Sequence, residues 1–195
     1  MLWMRESGES MLEPAARRWV QTAEALKRLR REPTRLPRRR SDRAMGWLDG
    51  VQVLDLCNVI AGPHSTNFLA RFGAQVTKLD PAKPIYDPTN TVIYGLTHMR
   101  GKRSALLDIR APRGRTVLES LIKRADIVVW NATEQQVEGM RLDSASLQAI
   151  NPDAIFCQLD CFGGVKTGPR TNYPGYDDLV QACSGVMLRF GGGMQ

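Results

Sequence analysis

Residues Val51–Asp80 read VQVLDLCNVIAGPHSTNFLARFGAQVTKLD. A short β-branched and leucine-rich run, a sharp turn, a helical stretch and a second apolar run follow in order. The second run ends on an acid. This is the opening unit of a nucleotide-binding α/β sheet, whose ligands sit beyond the carboxyl ends of the strands. The glycine fingerprint of a dinucleotide site, Gly-x-Gly-x-x-Gly, is absent. Ala61-Gly62-Pro63 stands in its place. It is a tight turn closed by a proline suited to the first position of a helix. The expected ligand is nucleotide-like but not NAD.

Outward from this unit the pattern repeats. Strands are expected at Val51–Leu56, Gln75–Leu79, Ser104–Asp108, Ile127–Trp130 and Ala154–Leu159. Helices are expected at Pro63–Phe72, Pro112–Arg124, Glu134–Met140, Ser144–Ile150 and Asp177–Met187. Asp80–Met99 holds three prolines and reads as an irregular loop. Strands alternating with helices imply a Rossmann-like, mainly parallel sheet with helices on both faces. The domain should span residues 46–195. The closing RFGGGMQ is a glycine-rich turn with no strand or helix after it, so a truncated domain is expected.

Residues 1–45 form a separate unit. They carry 12 Lys/Arg and 6 Asp/Glu, so +6 of the net +7 resides there. Residues 11–32 have apolar positions at helical spacing. Pro33, Pro37 and the arginine run behind them read as a linker. This basic helical arm has few interleaved aromatics, which argues against nucleic acid as a partner. No apolar run is long enough to cross a bilayer, and no signal core precedes the arm, so a cytoplasmic location is expected.

The chain has 4 cysteines and 2 histidines and no Cys-x-x-Cys. No metal site is expected, and the cysteines read as small buried residues in a reducing compartment.

Candidate functional residues lie in the loops. Val59-Ile60-Ala61 offers backbone groups to a base or a thioester arm, or is simply a tight turn. Arg100-Gly101-Lys102-Arg103 suits phosphate, since glycine admits the backbone and the cations supply charge. A solvated basic turn is the alternative. Asn131 stands at a strand's carboxyl end, as a ligand residue or as a turn former. Gly163-Gly164 and Gly168-Pro169 precede Gly175-Tyr176-Asp177-Asp178, either an active-site flap or an acidic helix start.

Six pieces together resemble the class III CoA-transferase family, which includes formyl-CoA transferase, carnitine CoA-transferase and α-methylacyl-CoA racemase. They are LDGVQVLDLCNVIAGP, LARFGAQVTKLDP, RGKRSALLDIRAPRGR, KRADIVVWNATE, INPDAIFCQLDCFGG and TGPR…YPGYDDLVQACSG, in order over residues 47–187. The resemblance implies coenzyme A as the ligand, acyl-CoA and a carboxylic acid as substrates, and an interlocked homodimer. It implies that Val59, Ile60 and Ala61 contact CoA. Leu107 and Arg110 would lie near its adenine and ribose-phosphate end, and Asn131 beside the pantetheine. Arg100, Lys102 or Arg103 would hold phosphate, because Pro81 stands where the family often has arginine. Ala132 likewise replaces a common phenylalanine. The family's nucleophilic aspartate lies roughly thirty residues beyond the GYD segment. Asp177 then matches a supporting acid, and this chain alone is expected to be inactive. Tyr176, where racemases tend to carry histidine, favours transfer over racemisation. NVIAGPH…KLDPAKPIYDP also resembles the second half of fused CoA-transferase/lyases acting on dimethylsulfoniopropionate, with the arm as inter-half linker.

Overall fold

A computed structural model of the protein describes residues 46–83, 88–163 and 167–191. The basic arm and its linker lie outside these residues, as does Gly164 of the glycine loop.

Five strands form one parallel sheet in the order β3-β2-β1-β4-β5. They are β1 (Gln52–Asp55), β2 (Gln75–Asp80), β3 (Arg103–Leu106), β4 (Ile127–Asn131) and β5 (Ile155–Leu159). The helices are α1 (Ala61–Arg71), α2 (Pro88–His98), α3 (Pro112–Ile122), α4 (Glu134–Gly139), α5 (Ser144–Ile150), α6 (Asp177–Cys183) and α7 (Val186–Phe190). β1 lies at the centre, in register with β2 through Val53 opposite Val76 and with β4 through Val53 opposite Ile127.

Alternation along the strands divides the core in two. Leu54, Leu79 and Val128 face one side, where they meet Leu118 and Ile122 of α3 and Leu147 of α5. Val53, Val76 and Val129 face the other, with Cys57 and Ala74, against Leu69 and Ala70 of α1. Helices therefore cover both faces of a doubly wound α/β sheet. Burying a leucine or valine in such a layer contributes about 1.5–3 kcal/mol, so these two clusters hold the sheet together.

Apart from other shifts in element ends, among them α1 starting at Ala61 so that Pro63 is its third residue rather than its first, the structure departs from the sequence reading in four places. Asp80–Met99 contains the helix α2. Its proline, Pro88, occupies the first helical position, where a missing N–H costs nothing, so it starts the helix rather than breaking one. The single helix expected over Asp177–Met187 is two helices, because Gly185 takes a φ of 77° between them. Asn131 is the last residue of β4 rather than the residue after it. Cys57 is buried as expected, but Cys157, Cys161 and Cys183 are exposed. Cys157 lies on the edge strand β5, Cys183 ends α6, which buries none of its residues, and Cys161 follows β5 in a loop beside Gly175, so none of the three is enclosed by the core.

Candidate functional site

The chain leaves β1 towards one face of the sheet through α1, and reaches β4 from the other face through α3. Between β1 and β4 the winding direction reverses. The crevice outside the carboxyl ends of two such strands is where ligands bind in open α/β sheets.

Asn131 and Asn58 meet at this crevice. Asn131 Oδ1 accepts from Asn58 N–H at 2.6 Å, and Asn131 Nδ2 donates to Asn58 O at 2.7 Å. One side-chain amide thus satisfies both backbone groups of the residue that opens the β1–α1 turn. The next residue, Val59, has a φ of 65°. A β-branched residue in the left-handed region costs about 1–3 kcal/mol and persists only where its surroundings enforce it. Ile60 follows, 44% exposed, and no side chain caps the start of α1. No acid stands in the first turn of α1. The positive end of an 11-residue helix is therefore left at the crevice, an environment that suits an anion or a developing negative charge.

The floor of the turn is a buried polar cluster. Asp55, the last residue of β1, is 0% exposed. Its Oδ1 accepts from Cys57 N–H at 2.9 Å and its Oδ2 from Thr66 Oγ1 at 2.6 Å and Lys102 Nζ at 2.8 Å. Lys102 Nζ also donates to Pro63 O at 2.6 Å and Thr66 Oγ1 at 2.7 Å. Burial lowers the proton affinity of this ammonium, and Asp55 opposes that shift. Cys57 sits against the same carboxylate. Burial, with the Asp55 charge second, pushes its thiol far above the ordinary range. Cys57 is therefore a packing residue rather than a nucleophile.

The structure separates the basic residues expected to hold phosphate. Lys102 has its whole side chain enclosed beside Asp55. Arg100 is exposed, and its backbone carbonyl accepts from Asn67 Nδ2 of α1 at 2.8 Å. Arg103 opens β3 and reaches Gln75 Oε1 at 3.4 Å. It lies at the amino end of its strand, about 10 Å from that strand's own carboxyl end, and opposite Thr77 of β2. Leu107 and Arg110 follow the carboxyl end of β3. Leu107 N–H donates to Asp80 O at 2.9 Å and Arg110 N–H to Asp108 Oδ1 at 3.0 Å, which fixes the backbone and leaves Arg110 exposed.

Tyr176 and Asp177 stand apart from the β1–β4 crevice in their bonding. Tyr176 precedes α6 and is 44% exposed. Asp177 Oδ2 accepts from Gln181 Nε2 of its own helix at 2.6 Å. The segment before α6 reaches the region beyond β4 through Gln135 N–H donating to Asn172 Oδ1 at 3.0 Å.

Sequence reasoning missed the Asp55–Thr66–Lys102 cluster and the contact of the two histidines, His64 Nδ1 to His98 Nδ1 at 3.2 Å. A signal for the first existed. An acid inside VQVLDLC, a strand expected to be central, requires a buried partner.

Residues 48–195 match the model of CoA-transferase family III. The chain belongs to CoA-transferase family III. It is 48% identical over 199 residues to the CoA-transferase/lyase DddD of Marinomonas sp. (strain MWYL1), an alignment covering 98% of this chain and 24% of that protein. It is 34% identical over 154 residues to the succinate–glutarate CoA-transferase of Agrobacterium fabrum (strain C58 / ATCC 33970), covering 72% of this chain and 38% of that one. The fold matches the crystal structure of a CAIB/BAIF family protein from Brucella suis with a TM-score of 0.65 and 34% identity, over 74% of this chain and 40% of that one. The chain thus spans well under half the length of these family III relatives. Among the described residues no group of three or more His, Cys, Asp or Glu side chains is placed to hold a metal ion. No helix among them is long and apolar enough to cross a membrane.

Proposed function

We propose that this chain is the CoA-binding N-terminal part of an acyl-CoA transferase, which moves CoA from an acyl-CoA to a carboxylic acid. The observation that carries this reading is the Asn131–Asn58 clamp on the strained Val59 turn, in a chain whose family acts on CoA thioesters. The turn lacks the glycines that a dinucleotide pyrophosphate requires. It offers instead the backbone of Val59, Ile60 and Ala61 at the positive end of α1. CoA lies across the carboxyl edge of the sheet. Its adenine and ribose-phosphate end is near Leu107 and Arg110, two strands away from β1, or about 10 Å at ordinary strand spacing. Its pantetheine passes Asn131, and Arg100 faces the phosphates. Arg103 and Lys102 play no direct part in this arrangement.

The chemistry needs a carboxylate nucleophile. An aspartate beyond Gln195 in chains of the relatives' length attacks the thioester carbonyl, forming an acyl anhydride and releasing CoA thiolate. The thiolate then attacks the enzyme carbonyl of the anhydride. This releases the donor's carboxylic acid and leaves an enzyme–CoA thioester. The acceptor carboxylate attacks that thioester, forming a second anhydride and expelling CoA thiolate; the thiolate then attacks the acceptor's carbonyl, giving the new acyl-CoA and freeing the enzyme's aspartate. Asp177 acts as a supporting acid. The complete enzyme is a homodimer.

One observation favours the bifunctional transferase/lyase type within this reading. The alignment with the Marinomonas protein takes in 98% of this chain, including most of residues 1–45, whereas that with the Agrobacterium transferase takes in 72%. The basic arm then joins two halves of a longer chain.

The test compares this chain with one extended to the relatives' length, using acyl-CoA donors and hydroxylamine to trap the acyl-enzyme. Trapped adduct and transfer in the long chain alone support the reading. Turnover by the 195-residue chain that is abolished by Asp177→Asn would instead make Asp177 the nucleophile.

A further inference from the structure

We propose that Lys102 and Asp55 are a positioning pair for the ligand turn, with Lys102 acting from inside the protein rather than on a phosphate. The inference rests on the CoA-binding reading of that turn.

The turn between Asp55 and Ala61 is short, and it is fixed at three points. Asn131 holds Asn58 from the β4 side. Asp55 Oδ1 holds Cys57 N–H at the exit of β1. On the α1 side, Lys102 Nζ bridges Asp55 Oδ2, Pro63 O and Thr66 Oγ1, at 2.8, 2.6 and 2.7 Å. It therefore ties the last residue of β1 to the first two turns of α1. With both its ends immobile, the turn has nowhere to relax the left-handed Val59. Both side chains are 0% exposed, so neither charge has water to turn to if the other is lost.

Lys102 can reach inward because its segment is stitched onto α1. His98 meets His64 at 3.2 Å, Asn67 Nδ2 holds Arg100 O at 2.8 Å, and Lys102 N–H donates to Met99 O at 3.2 Å. Gly101, at a φ of 81°, supplies the reversal between them. The same turn that buries Lys102 leaves Arg100 exposed beside α1. One glycine thus sorts neighbouring cations into an internal strut and a surface charge.

The test measures CoA affinity by calorimetry, unfolding in urea, and amide hydrogen exchange at Cys57, Asn58 and His64. The variants are Asp55→Asn/Lys102→Met, which removes both buried charges together, and Thr66→Val, which keeps both charges and deletes the hydroxyl between them. A positioning role predicts a double variant that folds, with CoA affinity weakened about tenfold and faster exchange at these three amides. Thr66→Val should lose about threefold, and it decides the matter if the double variant does not fold. Folded variants with parental CoA affinity and parental exchange would overturn the inference alone. A folded parent that binds no CoA would overturn the CoA reading and the inference with it.

Discussion

Asn131 and Asn58 are joined by two reciprocal hydrogen bonds, 2.6 and 2.7 Å long, across the point where the sheet reverses its winding. The pair links the central strand's exit to the end of its neighbour. One amide thus satisfies both backbone groups of the residue before Val59, which is held at a φ of 65°.

Asn131→Ala leaves both backbone groups of Asn58 without their partner. A loss of about 1–3 kcal/mol in unfolding free energy is expected, the cost of leaving a part-buried donor and acceptor unsatisfied. Asn131→Asp should also be destabilising, since a carboxylate accepts from Asn58 N–H but cannot donate to Asn58 O. Urea denaturation of the two variants checks this. An unchanged midpoint in Asn131→Ala would show that water replaces the clamp without cost.

Gly62 makes a second prediction about the same turn. A Cβ there would collide with Cys57 Sγ and Cys57 Cβ. Gly62→Ala should therefore destabilise by about 1–3 kcal/mol through overpacking. Gly139, the last residue of α4, has nothing within 4 Å of the corresponding position. Gly139→Ala should leave stability unchanged or raise it slightly. Thermal unfolding of the two variants side by side separates overpacking from loss of glycine as such.

The sheet was legible from sequence because each strand carries its own apolar run between turn signals, and β1 has partners on both sides. The helix α2 was hidden by its proline and the two before it, since Pro88 marks a helix start in space and a break in a linear reading. Of the site, Asn131 and the Val59 turn could be located from their place at the carboxyl ends of strands. Lys102 could not. Arg100, Lys102 and Arg103 are chemically alike in sequence, and only the backbone reversal at Gly101 and the acid at Asp55 give them different fates. The sequence also holds no sign that His64 and His98, on different helices, would meet.

His98 gives stability a pH dependence. Burial first, then the neighbouring His64 and Lys102, hold its proton affinity below the ordinary 6.5. Between that folded value and 6.5 the unfolded chain binds more protons than the folded one, so stability rises with pH. Stability should accordingly fall as pH drops through 6.5 and level off below the folded value. His98→Gln should flatten this part of the profile. Urea midpoints of parent and variant between about pH 7 and 5 measure it. Equal slopes would contradict the assignment.

The basic arm is expected to be dispensable for the fold of residues 46–195. Deleting residues 1–44 leaves Trp47 in place, stacked on Phe72 at 5.7 Å between ring centroids. The unfolding midpoint should be nearly unchanged. A loss of more than about 3 kcal/mol, the scale of a large buried side chain, would show that Trp19, one of the apolar residues of the segment 11–32, and its neighbours pack into the core.

Calorimetric titration of the chain with CoA and, separately, with NAD decides between the two ligands. CoA should bind and NAD should not, and Arg110→Ala should weaken CoA about tenfold by removing a charge from its phosphate end. Tight NAD binding with no heat from CoA would contradict the account.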